Sequence, residues 1–270
     1  MSIEALIFDV DGTMADTEEA HRSAFNLAFE RLGLAWNWSR PLYRELLKIT
    51  GGKERLAHYI RSLDLPGAQQ ARALGRIAEI HAEKTRTYTA IADAGEIPLR
   101  SGVARLLGEA ADAGLRLAIA STTTAANIDA LLRATLGDRG LALFDVIACG
   151  DQVRAKKPAP DIYRLALDTL GVPPERAIAL EDSANGLRSA RAAGLWTVVT
   201  PTFWTEGSDF AAAGLVLPGF GEPNDPLPGE PGGWLRSAAW LGADELVRLA
   251  TPKTPTNTVQ ALYALDPGGR

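Results

Sequence analysis

The chain has 270 residues, enough for one large domain or a core with a smaller companion, and its 46% hydrophobic and 23% charged content is ordinary for a globular protein. A net charge of −5 gives no electrostatic reason to expect nucleic acid or an anionic membrane, so an anionic ligand would need local positive charge. One cysteine, Cys149, excludes an intramolecular disulfide, and three scattered histidines are too few for a zinc cluster.

In chain order, residues 5–8 form a continuous apolar run, the mark of a strand buried on both faces, and it ends on Asp9 and Asp11. From 17 to 92 the pattern is helical. "EEAHRSAFNLAFERLG", "PLYRELLKIT", "KERLAHYIRSL" and "AQQARALGRIAEIHAEKTRTY" predict four amphipathic helices in an inserted all-helical domain. Beyond it, apolar runs at 115–120, 144–148, 177–180 and 196–199 alternate with helical patterns at 103–113, 126–136, 162–170 and 187–193. Gly114, Gly171 and Gly194 stand where helix ends would fall. The alternation predicts an α/β class with a doubly wound, mainly parallel sheet, built from 1–16 and 93–250. A short apolar run at 215–217 leads into a loop rich in glycine and proline (219–233), one helix around 243–249, and a flexible tail at 251–270. Cys149, Trp36, Trp38, Trp234 and Trp240 read as packing.

Ligands of open α/β sheets bind beyond the carboxyl ends of the strands, so the residues following each apolar run carry the information. Those residues are Asp9 and Asp11, Ser121 in "AIASTTT", Lys156 and Lys157 in "RAKKPAPDIY", and Glu181 and Asp182 in "LEDS". Together they suit phosphoryl transfer. A carboxylate attacking a phosphate dianion meets like-charge repulsion, which Mg²⁺ on Asp9 and Asp182 would relieve, with Glu181 on the metal or in its water shell. Lys157 adds a fixed charge, and the Ser121 hydroxyl can donate to the phosphoryl oxygens. Asp11 can protonate the leaving oxygen and then activate water. Ser121 could also cap the helix after "STTT". One of the two adjacent lysines is expected in solvent, and Lys156 is assigned that place.

"DVDGT", the serine after the second strand, "KKPAPDIY" and "LEDS" resemble, in order and position, the four motifs of haloacid-dehalogenase-superfamily phosphatases, over the chain up to about Pro201. The resemblance implies an aspartyl-phosphate on Asp9, acid/base work by Asp11, and Mg²⁺ bound also by the Asp11 carbonyl. It selects Lys157 as the lysine directly before proline, and it makes the helical insertion a mobile cap.

"FDVDGTMADTEEAHRSAFN", "YRELLKITGGKERLAHYI", "GEIPLRSGVARLL" and "KKPAPDIYRLAL" further resemble the CbbY group, phosphatases that remove xylulose-1,5-bisphosphate. That likeness implies a cap grip on the far end of the sugar by Glu18, His21, Tyr43, Gly51, Gly52, Lys53 and Arg55. Ser121, Thr122 and Lys157 complete the substrate set. As alternatives, Lys53 and Arg55 could be solvated helix charges and His21 an interface histidine. The 219–233 loop and the tail depart from the group.

The expectation is therefore a Mg²⁺-dependent sugar-bisphosphate phosphatase, with a β-phosphoglucomutase-like phosphomutase as the alternative. A dehalogenase would not need Asp11, and a silent binding module would be expected to have lost one of Asp9, Asp11, Lys157 or Asp182. The expected partner is a small sugar phosphate, with neither nucleic acid nor membrane. No apolar run reaches the roughly 20 residues of a membrane span, and no signal-peptide pattern opens the chain, which predicts a cytoplasmic setting; a monomer is expected.

Overall fold

A computed structural model describes residues 2–228, 235 and 239–251. Strand β1 (Ala5–Phe8) is wholly apolar and wholly buried, as a central parallel strand must be. The insertion follows as α1 (Glu18–Arg31), α2 (Arg40–Leu46), α3 (Gly52–Ser62), α4 (Gly67–Gly75) and α5 (Ile77–Asp93). Five helices therefore stand where four were expected. The last predicted segment breaks at Gly75, the poorest helix former after proline, and at Arg76, whose φ of −92° and ψ of 0° leave the helical region.

The remainder alternates as α6 (Val103–Asp112), β2 (Arg116–Ala120), α7 (Ala125–Leu136), β3 (Val146–Ala148), α8 (Asp161–Leu170), β4 (Ala177–Glu181), α9 (Ala184–Ala192), β5 (Trp196–Val199), β6 (Leu215–Val216) and α10 (Ala243–Ala250). The sheet order is β3-β2-β1-β4-β5-β6 with every pairing parallel. The short run at 215–217 thus adds a sixth strand at the edge.

Side chains alternate across the sheet. Leu6, Phe8, Leu117, Ile119 and Leu180 pack with Leu106, Leu107 and Leu131 on one face. Ala5, Ile7, Ala118, Ala120 and Ala179 meet Ile162, Tyr163 and Leu167 of α8 on the other, where small alanines let the helix come close. The insertion has its own core of Phe25, Phe29, Trp38, Tyr43, Leu56 and Tyr59. Trp36 packs beside it, and Trp240 lies near the Arg105 guanidinium. Cys149 is buried. The described part of the 219–233 loop is packed through Phe220, which is fully buried, and through Leu227, whose N–H donates to the Ala239 carbonyl at 2.8 Å. Trp234 and the tail beyond Thr251 lie outside the described residues.

Register sets the site. Phe8 lies opposite Ile119 on one side and Leu180 on the other, so three central strands end at one level where the strand order reverses. No helix among the described residues is long and apolar enough to cross a membrane.

Candidate active site

Asp9 is the first residue past β1, and its N–H donates to the Leu180 carbonyl at 2.9 Å. Lys157 Nζ donates to Asp9 Oδ1 at 2.7 Å and to Glu181 Oε1 at 2.6 Å. The same Glu181 oxygen accepts from the Tyr163 hydroxyl at 2.6 Å. Burial works against the Lys157 charge, but Asp9 and Glu181 outweigh it and hold the ammonium protonated.

The carboxylates pay the opposite penalty. Burial raises Asp9 to about 7; Lys157 counters this, and Glu181 and Asp11 add to it. Asp182 is pushed well above the usual range by burial and then by Asp9 and Glu181. Oxygens of Asp9, Glu181 and Asp182 lie within 4.8 Å of one another, and all three residues are buried. Among the described residues no hydrogen-bond donor reaches the Asp182 carboxylate. Three buried carboxylates against one lysine leave an all-oxygen donor set short of positive charge, which fits a hard divalent cation. Gly12 makes room for it: its φ is +87°, and a Cβ there would collide with the Asp182 carboxylate.

Asp11 faces the insertion. Its Oδ1 accepts from Thr17 Oγ1 at 2.6 Å and pairs with His21 Nε2 at 2.9 Å. Lys84 Nζ sits 2.7 Å from His21 Nδ1. An ammonium can only donate, so Nδ1 accepts and Nε2–H donates to Asp11. Burial alone would raise Asp11, but His21, Thr17 and Lys84 together hold it below the usual carboxylate range. The imidazole stacks on Tyr88 at 4.1 Å, and Lys84 lies over the Tyr88 and Phe25 rings.

A cavity of about 670 Å³ separates this floor from the helical roof. On the roof, Tyr43 Oη donates to Glu18 Oε2 at 2.7 Å and accepts from Arg55 Nη1 at 3.0 Å. Contacts cross from roof to floor at several points. Lys53 Nζ meets Asp151 Oδ1 at 3.2 Å, Asn185 Nδ2 donates to Thr50 Oγ1 at 2.7 Å, and Arg44 Nη2 donates to the Glu206 carbonyl at 2.9 Å. Trp204 of the loop after β5 is buried with the aromatic core of the insertion.

Of the residues singled out by sequence, Asp9, Asp11, Asp182 and Lys157 line the cavity together with Glu18, His21, Gly51, Gly52, Lys53, Arg55 and Thr122. Ser121, Tyr43 and Glu181 stand behind it. Ser121 is buried and accepts from the Thr123 N–H, and the cap of α7 is Thr124, not Ser121. Lys156 is not free in solvent. It donates to the carbonyls of Gly150 and Val153, because the tight turn before Lys157 gathers both around it.

Sequence reasoning missed Lys84, His81, Tyr163, Trp204 and Arg100. Arg100 gathers the carbonyls of Gly12, Thr200, Pro201 and Pro218, tying the Asp11 turn to the ends of β5 and β6. The signal for Lys84 lay in α5, where Ile80, Lys84 and Tyr88 recur at helical spacing on a buried stripe.

A family profile described as haloacid dehalogenase-like hydrolase matches residues 3–194. CbbY encoded on a plasmid of Cupriavidus necator is 53% identical over 226 residues, covering 84% of this chain and 89% of that protein. CbbY of Cereibacter sphaeroides is 54% identical, over 82% of this chain and 94% of its own. The solved structure of a mutant CbbY from Rhodobacter sphaeroides in complex with xylulose-(1,5)bisphosphate superposes with a TM-score of 0.74 at 52% identity, covering 80% of this chain and 94% of that one. A β-phosphoglucomutase from Clostridium difficile, at 22% identity and a TM-score of 0.62, shares the fold. The chain belongs to the haloacid dehalogenase-like hydrolase family and, within it, to the CbbY proteins.

Proposed function

We propose that the chain is a Mg²⁺-dependent sugar-bisphosphate phosphatase acting on xylulose-1,5-bisphosphate through an aspartyl-phosphate on Asp9. The observation that carries this reading is Asp9 held by Lys157 on the floor of a cavity whose wall includes Arg44, Lys53 and Arg188. Binding of xylulose bisphosphate by a relative at 52% identity supports the choice of sugar.

The Asp9 carboxylate attacks the phosphorus and the ester oxygen leaves, taking the proton that Asp11 carries in the substrate complex. Asp11 is ionised in the free site, and the phosphate dianion bound beside it raises its proton affinity so that it takes one proton from solvent. Asp11 then removes a proton from water, which attacks the same phosphorus, breaks its bond to Asp9 and releases phosphate. Lys157 orients the nucleophile and balances phosphoryl charge, and Glu181 with Tyr163 fixes Lys157 in place. Asp9, Asp182 and the Asp11 carbonyl would hold Mg²⁺, which when bound supplies neutralisation of the phosphate. Glu181 has one oxygen committed to Lys157 and Tyr163 and acts from behind. The helical insertion, residues 17–92, serves as the cap that excludes water and grips the sugar.

A phosphate-release screen over sugar mono- and bisphosphates, with and without Mg²⁺, tests this. Xylulose-1,5-bisphosphate should have the highest kcat/KM, and chelation should abolish release. Faster conversion of a glucose phosphate with a bisphosphate activator would favour a phosphomutase and overturn the reading.

A further inference from the structure

Residues 11–15 form the turn that carries Asp11, and Arg100 holds that turn at both ends. Its N–H donates to the Met14 carbonyl at 2.8 Å, and its guanidinium donates to the Gly12 carbonyl. The two segments meet because Ala15 and Leu99, on either side of the insertion, pair antiparallel. Nη1 also donates to the Thr200 carbonyl at 2.8 Å and its hydroxyl at 2.9 Å. Nη2 donates to the carbonyls of Pro201 at 3.4 Å and Pro218 at 3.3 Å. Arg100 is half-buried, and burial works against its charge while Asp182 and Asp16 favour it. A planar fork with five donors is the one side chain that can hold several carbonyls at fixed angles to one another.

Gly12 explains why the turn needs such a clamp. Its φ is +87°, and a Cβ there would collide with the Asp182 carboxylate. The residue after Asp11 therefore has no side chain to pack, and only its peptide groups can fix it. The Gly12 N–H donates to the Ala15 carbonyl at 2.8 Å, and the Gly12 carbonyl accepts from Arg100. Thr200, held by the same guanidinium, donates its N–H to the Glu181 carbonyl at 2.7 Å. Arg100 thus sets the turn of Asp11 against the strand end that delivers Asp182.

We propose that Arg100 is a positioning residue for the reaction: by holding the Gly12 carbonyl against Thr200, it fixes the direction in which Asp11 exchanges its proton with the leaving oxygen. This rests on the phosphoryl-transfer reading above, with Asp11 as the acid. Loss of the fork frees the glycine turn, and the acid then samples positions from which the leaving oxygen is out of reach.

The test uses two aryl esters that differ in how much protonation their leaving groups need, phenyl phosphate and p-nitrophenyl phosphate. Their kcat/KM reports phosphoryl transfer to Asp9. Arg100→Lys keeps the charge, but a single nitrogen cannot serve the Gly12 and Thr200 carbonyls together with those of Pro201 and Pro218. It should lose roughly tenfold or more on phenyl phosphate and about threefold or less on p-nitrophenyl phosphate. In an Asp11→Asn background the same change should cost phenyl phosphate at most about a further twofold, because the group it positions is already gone. Equal losses on the two esters would overturn the assignment, as would the same factor in both backgrounds or full activity in Arg100→Lys.

Should Arg100→Lys fail to fold, Thr200→Val carries the test. It removes one acceptor of Nη1 and should give the same uneven losses at smaller amplitude; an even loss, or none, counts against the clamp. Neither ester is a sugar, so a parent that leaves xylulose-1,5-bisphosphate intact overturns the proposed substrate and leaves this comparison standing.

Discussion

Trp204 stands edge-on to Tyr43, with ring centroids 5.6 Å apart and planes at 90°. One ring belongs to the loop after β5, the other to the helical insertion, and the Tyr43 hydroxyl holds both Glu18 and Arg55. The floor of the cavity therefore positions the polar groups of its roof through an aromatic contact. Edge-to-face pairs are worth about 0.5–1.5 kcal/mol beyond burial. Trp204→Ala should lower kcat/KM for the bisphosphate at least two- to tenfold, mainly through KM, and Trp204→Phe should retain most of it. Unchanged kinetics in Trp204→Ala would mean that the roof holds its geometry without this contact.

Removing either floor aspartate should stop turnover at different steps. Asp9→Asn keeps the shape but loses the nucleophile, so hydrolysis of every phosphate ester should fall to background with the melting temperature little changed. Asp11→Asn removes the proton donor, a contribution typically of about 10²–10⁴-fold. A good leaving group needs little protonation, so p-nitrophenyl phosphate should still phosphorylate Asp9, visible as a burst or as a mass increase of the protein. Equal losses for p-nitrophenyl phosphate and the sugar phosphate would argue against the acid role of Asp11.

Lys84 is the buried cation behind that acid. It reaches Asp11 through His21, so its loss leaves the imidazole without its Nδ1 partner and free to turn over. Lys84→Met keeps an unbranched apolar side chain but removes the donor and the ammonium that lies over the Phe25 and Tyr88 rings. The expected result is a kcat for the sugar phosphate reduced by roughly one to two decades, from a lost charged hydrogen bond of about 1.5–3 kcal/mol. The loss should be much smaller for p-nitrophenyl phosphate. A uniform loss for both substrates would assign Lys84 to packing instead.

What the sequence made legible were features written into neighbouring residues. Strand β1, and β4 up to its last residue Glu181, are apolar because both faces are buried, and Asp9, Lys157 and Asp182 follow strand ends in recognisable local patterns. The pattern across Gly75 and Arg76 looked continuous because amphipathic spacing persists through the break, so two helices read as one. Contacts between distant segments were not legible. Lys84 and His21 are 63 positions apart, and Asn185 and Thr50 are 135 apart; nothing in either local stretch announces the other. Ser121 follows β2 as expected, yet the turn directs Thr122, Thr123 and Thr124 to the cavity in its place. Tyr43, expected at the sugar, is fully buried and acts on the cavity through Glu18 and Arg55.

Acid should expose the cost of burying His81 as a neutral ring. Its value in the folded chain is about 3, against an ordinary 6.5, so it is depressed by folding. Above pH 6.5 both folded and unfolded chains carry the neutral imidazole and the residue contributes no pH dependence. Below 6.5 the unfolded chain binds a proton that the folded chain refuses, so stability falls with pH until about pH 3. At pH 5 the difference amounts to about 2 kcal/mol, from 1.36 kcal/mol for each pH unit below the ordinary value. Other groups titrate in the same window, and Asp9, raised to about 7, works in the opposite sense. The contribution of His81 must therefore be taken as a difference between variant and parent. His81→Asn cannot be protonated, so urea midpoints measured at pH 7 and pH 5 should fall less for the variant than for the parent. A parallel fall in the two proteins would show that the imidazole charges freely inside the fold, with water or the Asp151 carboxylate compensating it.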